Sequence, residues 1–511
     1  MFKKIIVSFI VSLLLCFNAL AQSVTIFTTN DLHGRLKPFD YGELKDVGGA
    51  ARRTTVFKSV PNALILDAGD YAQGTLYFKL LKENLNLKVM ESQGYDAITL
   101  GNHEFDKGLA YLMRSAVFSK VPLLLSNVKF QDKELNKIIN KYVIEEVNGV
   151  KIGIIGVIDS SLKATSSTNP DLYEVYDEIK TLKKIVRKVD RKTDLVIVLS
   201  HCGADKDRII AREVNGIDLI IGGHTHTTLR KPIQINKSNG ERVLISQNGE
   251  FGRLVGKWDI VVENDRIKRY KFRHIPITSK IPEDATTKGI IAKYDKMLDD
   301  YAKTVAGYSV TPIDARRKSV RTRLTTAGAL LHDAIKYHYP EVEVSMNTSG
   351  GYRFGDYLPQ VITNQVVEEL FPFDSYVVLV KIKGSDIKEI LETSSRFLPK
   401  SSSSFLQTSG LSYTVHFNRQ PKCLNSKYDK IIQSGAKVSN VKVNGKPLDM
   451  EKYYLVATDN FMYYGGDGYI EFRKYKDVKH THFFLDDILI KYLQINSPVE
   501  VKVKDRIIYK K

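Results

Sequence analysis

The sequence predicts an α/β (α+β) protein of two domains: a layered α/β domain, a linker helix, then an α+β domain. Three observations predict it. The chain has 511 residues, too many for one ordinary core. From Val24 to about Val262, short Val/Ile/Leu-rich runs alternate with helical stretches, the pattern of buried strands joined by helices. After Ile281 the alternation gives way to one long helical stretch and then to a different mixture of elements.

The first segment stands apart from both domains. "MFKK" supplies positive charge, "IIVSFIVSLLLCF" is a short apolar run, and Ala19-Leu20-Ala21 precedes Gln22. These are the parts of a cleavable secretory signal, so residues 1–21 are expected to be removed after Ala21. The apolar run falls short of the roughly 20 residues a spanning helix needs. Leu13-Leu14-Leu15 lacks the small residues expected before a lipid-modified Cys16. The chain is therefore expected to be exported, periplasmic or secreted, with no transmembrane segment once mature.

The strands of residues 22–280 are "VTIFTTND", "ALILDAGD", "AITLGNHE", "KIGIIGVID", "DLVIVLSHCG", "IDLIIGGHTH" and "RVLISQNG", each running into Gly, Asp, Asn or His. Val261 to Arg273 reads as a β-hairpin closing this domain. Pro282-Glu283-Asp284 is a helix start, and residues 281–304 read as an interdomain helix. Residues 305–511 mix helical "LTTAGALLHDAIKYHY" and "DIKEILETSS" with strands "VVLVKIKG" and "YYLVATDNFM". Lys400 to Ser404, "KSSSS", reads as a flexible loop.

Composition is globular, with 43% hydrophobic and 26% charged residues. Without the signal only Cys202 and Cys423 remain, so this is no disulfide scaffold, and the two are expected to stay unpaired. The net charge of +18 is scattered, with no arginine-rich block. That excludes a dedicated nucleic-acid binder and suits attraction of anionic small substrates or an anionic envelope surface.

Chemistry gathers at the strand ends: Asp31 and His33 in "TNDLHG", Asp70 in "DAGD", Asn102 and His103 in "GNHE", His201 in "SHCG", His224 and His226 in "GGHTH". Open α/β sheets place their sites at carboxyl ends of strands. Any one of these residues could be a cap or a packed histidine, but every polar strand end here is Asp, Asn or His. That donor set suits borderline divalent metals such as Zn²⁺ and Mn²⁺ and offers too many ligands for one structural zinc. Two ions about 3.5–4 Å apart, sharing a carboxylate and activating a water, would use the whole set and suit displacement at phosphorus.

These five segments, in this order, resemble the calcineurin-like metallophosphoesterases, in particular their 5'-nucleotidase and UDP-sugar hydrolase branch. The resemblance implies a four-layer α/β-β/α domain. Carried over by motif, Asp31, His33, Asp70 and His226 would hold one metal and Asp70, Asn102, His201 and His224 the second. His103 would stabilise the transition state and Asp106 would orient it; Glu104 would be structural and Cys202 packing. Zn²⁺ or Mn²⁺ is favoured, with Co²⁺ and Mg²⁺ also acceptable.

"AGALLHDAI", "GGYRFG", "LFPFDSYVVLVKIKG", "FLQTSGLSYTV" and "ATDNFMYYGGDGY" resemble the branch's C-terminal nucleotide-binding domain. Phe373 and Phe461 would then stack on a base, Asp467 would accept from ribose hydroxyls, and Arg353 with Arg321, Arg323 or both would bind phosphate. The chain departs from the family's N-x-G-G-[IL]-R in "NTSGGYR": Thr348 stands at the usual asparagine position and Tyr352 at an aliphatic one. Leu324 replaces an acidic residue. These changes touch substrate preference and leave the metal ligands intact.

The expected function is that of an exported dimetal phosphohydrolase, a 5'-nucleotidase acting on nucleoside monophosphates. The alternatives are a UDP-sugar or dinucleotide (NAD) pyrophosphatase, a 2',3'-cyclic nucleotide phosphodiesterase and, more remotely, a non-catalytic nucleotide-binding protein. Base preference and oligomeric state are left open.

Overall fold

The computed structural model describes residues 22–81 and 84–511. The expected signal, with Cys16, lies outside the described residues.

Two six-stranded sheets build the first half. In one, strands Gln22–Thr29, Leu64–Asp67, Ala97–Thr99 and Leu123–Leu124 run parallel, and Leu254–Val262 and Ile267–Pro276 close the other side antiparallel. In the second, Val150–Ile158, Leu195–His201, Leu219–Gly222 and Arg242–Ser246 form the parallel centre. The alternating geometry of a strand explains why these runs are apolar throughout. Along Val150–Ile158, Ile152 and Ile154 face the other sheet, while Ile155 and Val157 face the helices outside.

Ile26, Leu66 and Trp258 of the first sheet meet Ile154, Ile197 and Ile221 of the second. Helices Ala50–Phe57 and Leu109–Phe118 cover the first sheet, and Glu178–Val189 and Ala204–Glu213 cover the second. The result is the four-layer α/β-β/α arrangement. The closing hairpin is longer than its sequence reading: its first strand begins at Leu254 and its second ends at Pro276. Lys257, Trp258, Asp259 and Ile260 alternate half-buried with buried, the period of a strand with one face on the core, and that signal extends the first strand back from Val261.

Helix Ala285–Lys303 is capped by Asp284, whose carboxylate accepts from the Thr287 amide at 2.9 Å. Its Ile291 and Leu298 pack with Leu85 and Val89 of the first half. Near its end the Tyr301 hydroxyl donates to Glu368 of the second half at 2.8 Å.

The second half centres on a five-stranded sheet in the order Leu406–Ser409, Val344–Thr348, Tyr453–Asp459, Tyr376–Lys383, Val478–Phe484. Helices Thr326–His338 and Leu485–Asn496 cover one face. Helix Gly384–Ser395 and strands Leu411–His416 and Val438–Val443 cover the other. The serine run is a loop, but a tied one rather than a flexible one. The Ser403 carbonyl accepts from the Gly350 amide at 2.9 Å, and the Ser349 hydroxyl reaches the Ser402 and Ser403 carbonyls at 3.1 Å each. Composition alone hid these partners. Cys202 and Cys423 are both free. No helix among the described residues is long and apolar enough to cross a membrane.

Candidate metal centre and substrate cavity

The first sheet's parallel strands end level: Thr29 pairs with Asp67, and Asp67 with Ile98. In the second sheet Ser200 pairs with Gly222. The turns that follow therefore converge, and backbone hydrogen bonds lock them together. Asp31 N–H donates to the Gly69 carbonyl and His33 N–H to the Asp70 carbonyl, both at 2.9 Å. Buried Glu104 accepts from the amides of Asp70, Ala72 and Gly101, tying "DAGD" to "GNHE". Its role is structural, as expected. Gly101 allows that contact: a Cβ there would lie 2.1 Å from Asp70 Oδ1.

Asp31, His33, Asp70, His224 and His226 all have positive φ, a conformation non-glycine residues adopt at a cost of about 1–3 kcal/mol. The strain turns their side chains into one space. Three groups have ligand atoms within 4.8 Å of one another: Asp31 with His33 and His226; His33 with Asp70 and His103; Asp70 with His201 and His224. Asp70 joins the last two. Asn102 Oδ1 lies 3.1 Å from His224 Nδ1, while its Nδ2 donates to the Thr165 carbonyl at 3.2 Å. The amide oxygen thus faces the Asp70, His201 and His224 group.

The donors fit a cation. His201 is fully buried, and its Nδ1 lies 2.7 Å from the Ala68 carbonyl, which assigns the proton to Nδ1. Its Nε2 then turns a lone pair toward Asp70 Oδ2 at 3.0 Å and makes no hydrogen bond. An imidazole nitrogen and a carboxylate oxygen set this close are a pair that a proton or a divalent cation would join. The second group repeats this: His33 Nε2 and His226 Nε2 are 3.1 Å apart, and His226 Nε2 is 3.4 Å from Asp31 Oδ1.

Charge preferences divide. Burial would lower His201 and His226, yet Asp70 lifts the first to about 10, and Asp31 and Glu250 lift the second to about 9. With no ion present, these two carry the positive charge themselves. Burial would raise the Asp70 carboxyl, but His201 and then His103 hold it well below the usual carboxylate range. Burial drives His33 down to about 3 and also lowers His224, so both present neutral imidazoles at neutral pH. Burial would lower His103, yet Asp106 and Asp70 pull it above its ordinary value. His103 Nδ1 sits 2.6 Å from Asp106 Oδ2.

A cavity of about 380 Å³ opens beside these groups. Asn102, His103, Asp106 and His224 line one side, and Arg321, Arg353, Phe373, Phe461 and Asp467 line the other. Phe461 lies over Gly466, where a Cβ would come within 2.5 Å of the ring, so only glycine leaves room. The Arg353 guanidinium sits 5.5 Å from the Phe373 ring centre, a cation–π contact. Arg321 Nε is buried without a partner. Burial and then the neighbouring Arg317 and Arg353 charges hold its guanidinium down to about 10. Asp467 Oδ1 accepts from the Ser403 hydroxyl at 3.4 Å.

Arg323 is the sequence-predicted residue that does not join the cavity. It is exposed and donates to Asp314 at 3.3 Å and to the Ser319 hydroxyl at 3.1 Å. Sequence reasoning did not single out Arg317, whose charge lies near enough to Arg321 and Arg353 to add to the lowering that burial imposes on both. It also missed Glu250, which contacts His226, whereas Asn347 and Thr348 of the altered NTSGGYR segment do line the cavity.

Fold and site together define a two-domain metallophosphoesterase. The calcineurin-like phosphoesterase family model matches residues 24–228, and the 5'-nucleotidase C-terminal domain model matches residues 303–474. The chain is 30% identical over 492 residues to a 5'-nucleotidase of Mus musculus, covering 88% of this chain and 84% of that one. It is 29% identical over 528 residues to a snake venom 5'-nucleotidase of Gloydius brevicauda, covering 95% of this chain and 88% of that one. The crystal structure of a 5'-nucleotidase precursor from Thermus thermophilus superposes with a TM-score of 0.79 at 28% identity, covering 96% of this chain and 99% of that one. The chain belongs to the 5'-nucleotidase family of calcineurin-like phosphoesterases and is a metal-dependent phosphoester hydrolase.

Proposed function

We propose that this chain is an exported 5'-nucleotidase that hydrolyses nucleoside 5'-monophosphates to nucleoside and phosphate. The observation that carries the reading is the shared cavity, in which His103 and the Asp/His groups face two half-buried phenylalanines and two arginines. That is a phosphate centre and a base clamp within one nucleotide's reach. Residues 22–280 would form the metal-bearing domain, 281–304 the linker and 305–511 the nucleotide-binding domain.

Asp31, His33, Asp70 and His226 would hold one divalent ion, and Asp70, Asn102, His201 and His224 the other. When bound, such ions polarise phosphoryl oxygens and lower the pKa of water. Zn²⁺ or Mn²⁺ suits this mixture of imidazole and carboxylate. Arg321 and Arg353, with Arg317 beside them, orient the phosphate by their planar donor forks. Phe373 and Phe461 stack on the base, which tolerates any base, and Asp467 accepts from the ribose hydroxyls. His103 holds a proton at Nε2, its Nδ1 proton being held by Asp106. It stabilises charge on the phosphoryl group as the ester bond breaks and passes its Nε2 proton to the departing 5'-oxygen. The venom relative is a named 5'-nucleotidase of a secretion, which supports export, as does the apolar N-terminal run.

The test is hydrolysis of AMP, UMP, ATP, UDP-glucose, NAD and 2',3'-cyclic AMP by metal-loaded mature protein, with substrate loss and each product followed by chromatography. Fastest turnover of the monophosphates, to nucleoside and phosphate, is expected. If the cyclic or dinucleotide substrates lead, the substrate assignment is wrong, although the hydrolase class stands.

A further inference from the structure

The loop after strand Arg242–Ser246 carries a residue that the hydrolytic chemistry leaves unused. The loop is pinned at both ends: Asn248 N–H donates to Asn30 Oδ1 at 2.9 Å, and Asn30 Nδ2 donates to the Gly249 carbonyl at 2.7 Å. Phe251 N–H donates to the Asp31 carbonyl at 2.7 Å. Glu250 lies between these anchors, so its backbone is fixed to the same turn that carries Asp31. Glu250 Oε2 contacts His226 Nδ1 directly. Its other oxygen accepts from the Tyr41 hydroxyl at 2.7 Å. Tyr41 is itself held, with the Arg253 guanidinium 3.8 Å from its ring centre. Phe251 closes the side, its ring edge-on to His33 at 5.7 Å and to His226 at 6.2 Å.

We propose that Glu250, braced by Tyr41, is the positioning residue of the metal site formed by Asp31, His33 and His226. It receives the Nδ1–H of His226, which fixes the tautomer and turns the Nε2 lone pair toward Asp31 and His33. A carboxylate on the far nitrogen of a ligating imidazole orients the ring and increases its basicity. At the other site the far nitrogen of His201, Nδ1, meets the Ala68 carbonyl in place of a carboxylate. Glu250 therefore supports one ion selectively. The inference rests on His226 being a ligand, as assigned above.

Metal binding tests it directly. The mature chain and its Glu250→Ala, Glu250→Gln and Tyr41→Phe variants are stripped, then titrated with Zn²⁺ against a chelating dye. Bound zinc is counted by mass spectrometry, and melting of each stripped protein reports folding. The wild type should bind two ions. Glu250→Ala should weaken one of them about 10–100-fold and leave the other unchanged. Glu250→Gln, which keeps an acceptor but no charge, should fall between, and Tyr41→Phe should cost a few-fold. Two ions bound by Glu250→Ala with wild-type affinities overturn the proposal while the metal assignment stands. Equal weakening of both ions overturns it too, since it marks a general structural role. If the alanine variant does not fold, wild-type affinities in Glu250→Gln are decisive against the proposal. A wild type that binds fewer than two ions removes the ligand assignment, and this inference with it.

Discussion

Phe373 stacks on His103, with ring centres 5.6 Å apart and planes inclined by 23°. One ring comes from the second half of the chain and the other from the turn after Thr99, so a single contact joins the proposed base clamp to the proposed hydrolytic histidine. The two phenylalanines should therefore behave differently. Phe461→Ala removes one stacking surface and should raise KM roughly 5- to 150-fold with little change in kcat, given about 1–3 kcal/mol per stacked base. Phe373→Ala should raise KM similarly and also lower kcat, because His103 loses its support. Steady-state kinetics on AMP separate the two, and equal kcat in both variants would sink the distinction.

His103 and Asp106 form a hydrogen-bonded pair in which the carboxylate, against burial, raises the imidazole above its ordinary value. His103→Ala should lower kcat by about 10²–10⁴. Asp106→Asn should cost less, since an amide oxygen can still accept the Nδ1 proton. Both variants should retain wild-type metal content, checked by elemental analysis. Loss of an ion from either would reassign that residue to the metal site.

Removing the ions should abolish hydrolysis and lower the melting temperature together. Without them, Asp31, Asp70 and the four histidines His33, His201, His224 and His226 crowd together with no ion to share their lone pairs. Restoring Zn²⁺ or Mn²⁺ should recover both properties. Full activity after exhaustive chelation, verified by metal analysis, would contradict the metal assignment.

The ligand positions were legible because buried parallel strands leave few polar residues, and those at strand ends point to a site. Asp31, Asp70 and His201 stood out against apolar runs. The base clamp was legible only through resemblance, since Phe373 and Phe461 are ordinary aromatics until the fold brings them to one cavity. Arg323 misled because adjacent arginines look alike in sequence, whereas the end of the short helix Arg317–Val320 turns one inward and the other toward Asp314. Glu250 was invisible for a different reason. Its partner His226 is 24 positions away, and only the parallel pairing of Leu219–Gly222 with Arg242–Ser246 brings their two loops together.

Binding of the nucleoside product should depend on pH through Asp467. Burial, offset by Arg396 and then Arg321, holds this carboxyl up at about 6. Above that pH it is ionised and accepts from ribose hydroxyls; below it the proton removes one acceptor. Adenosine inhibition, which avoids titration of a substrate phosphate, should therefore weaken as pH falls from 7 to 5, by roughly tenfold if only the ionised form binds. Asp467→Asn should bind weakly at all pH values and show no such slope. An unchanged slope in that variant would place the titrating group elsewhere.

Lys79 gives the sharpest test of how the halves hold together. Its ammonium is nearly buried, 2.5 Å from Glu368 Oε2 and 2.5 Å from Asp486 Oδ2, and donates to the Phe371 carbonyl at 3.3 Å. Both acids and the carbonyl belong to the nucleotide-binding half, and Phe371 lies two residues before Phe373. Replacing the lysine leaves two buried carboxylates facing each other, and losing one partner of such a group costs about 3–5 kcal/mol. Lys79→Met should therefore unfold at lower urea and bind nucleotide more weakly. The pH dependence has a definite sign. Burial holds Glu368 up at about 7 even beside the lysine, with Asp486 adding to the rise. An acid raised in the folded state destabilises it above that pKa, and the penalty fades as pH falls through it toward the unfolded value. The variant should thus lose most stability at pH 8 and regain part of it at pH 6, with Glu368→Gln in the same chain removing much of the difference. Equal loss at both pH values would mean that packing of the lysine stem, rather than charge, joins the two halves.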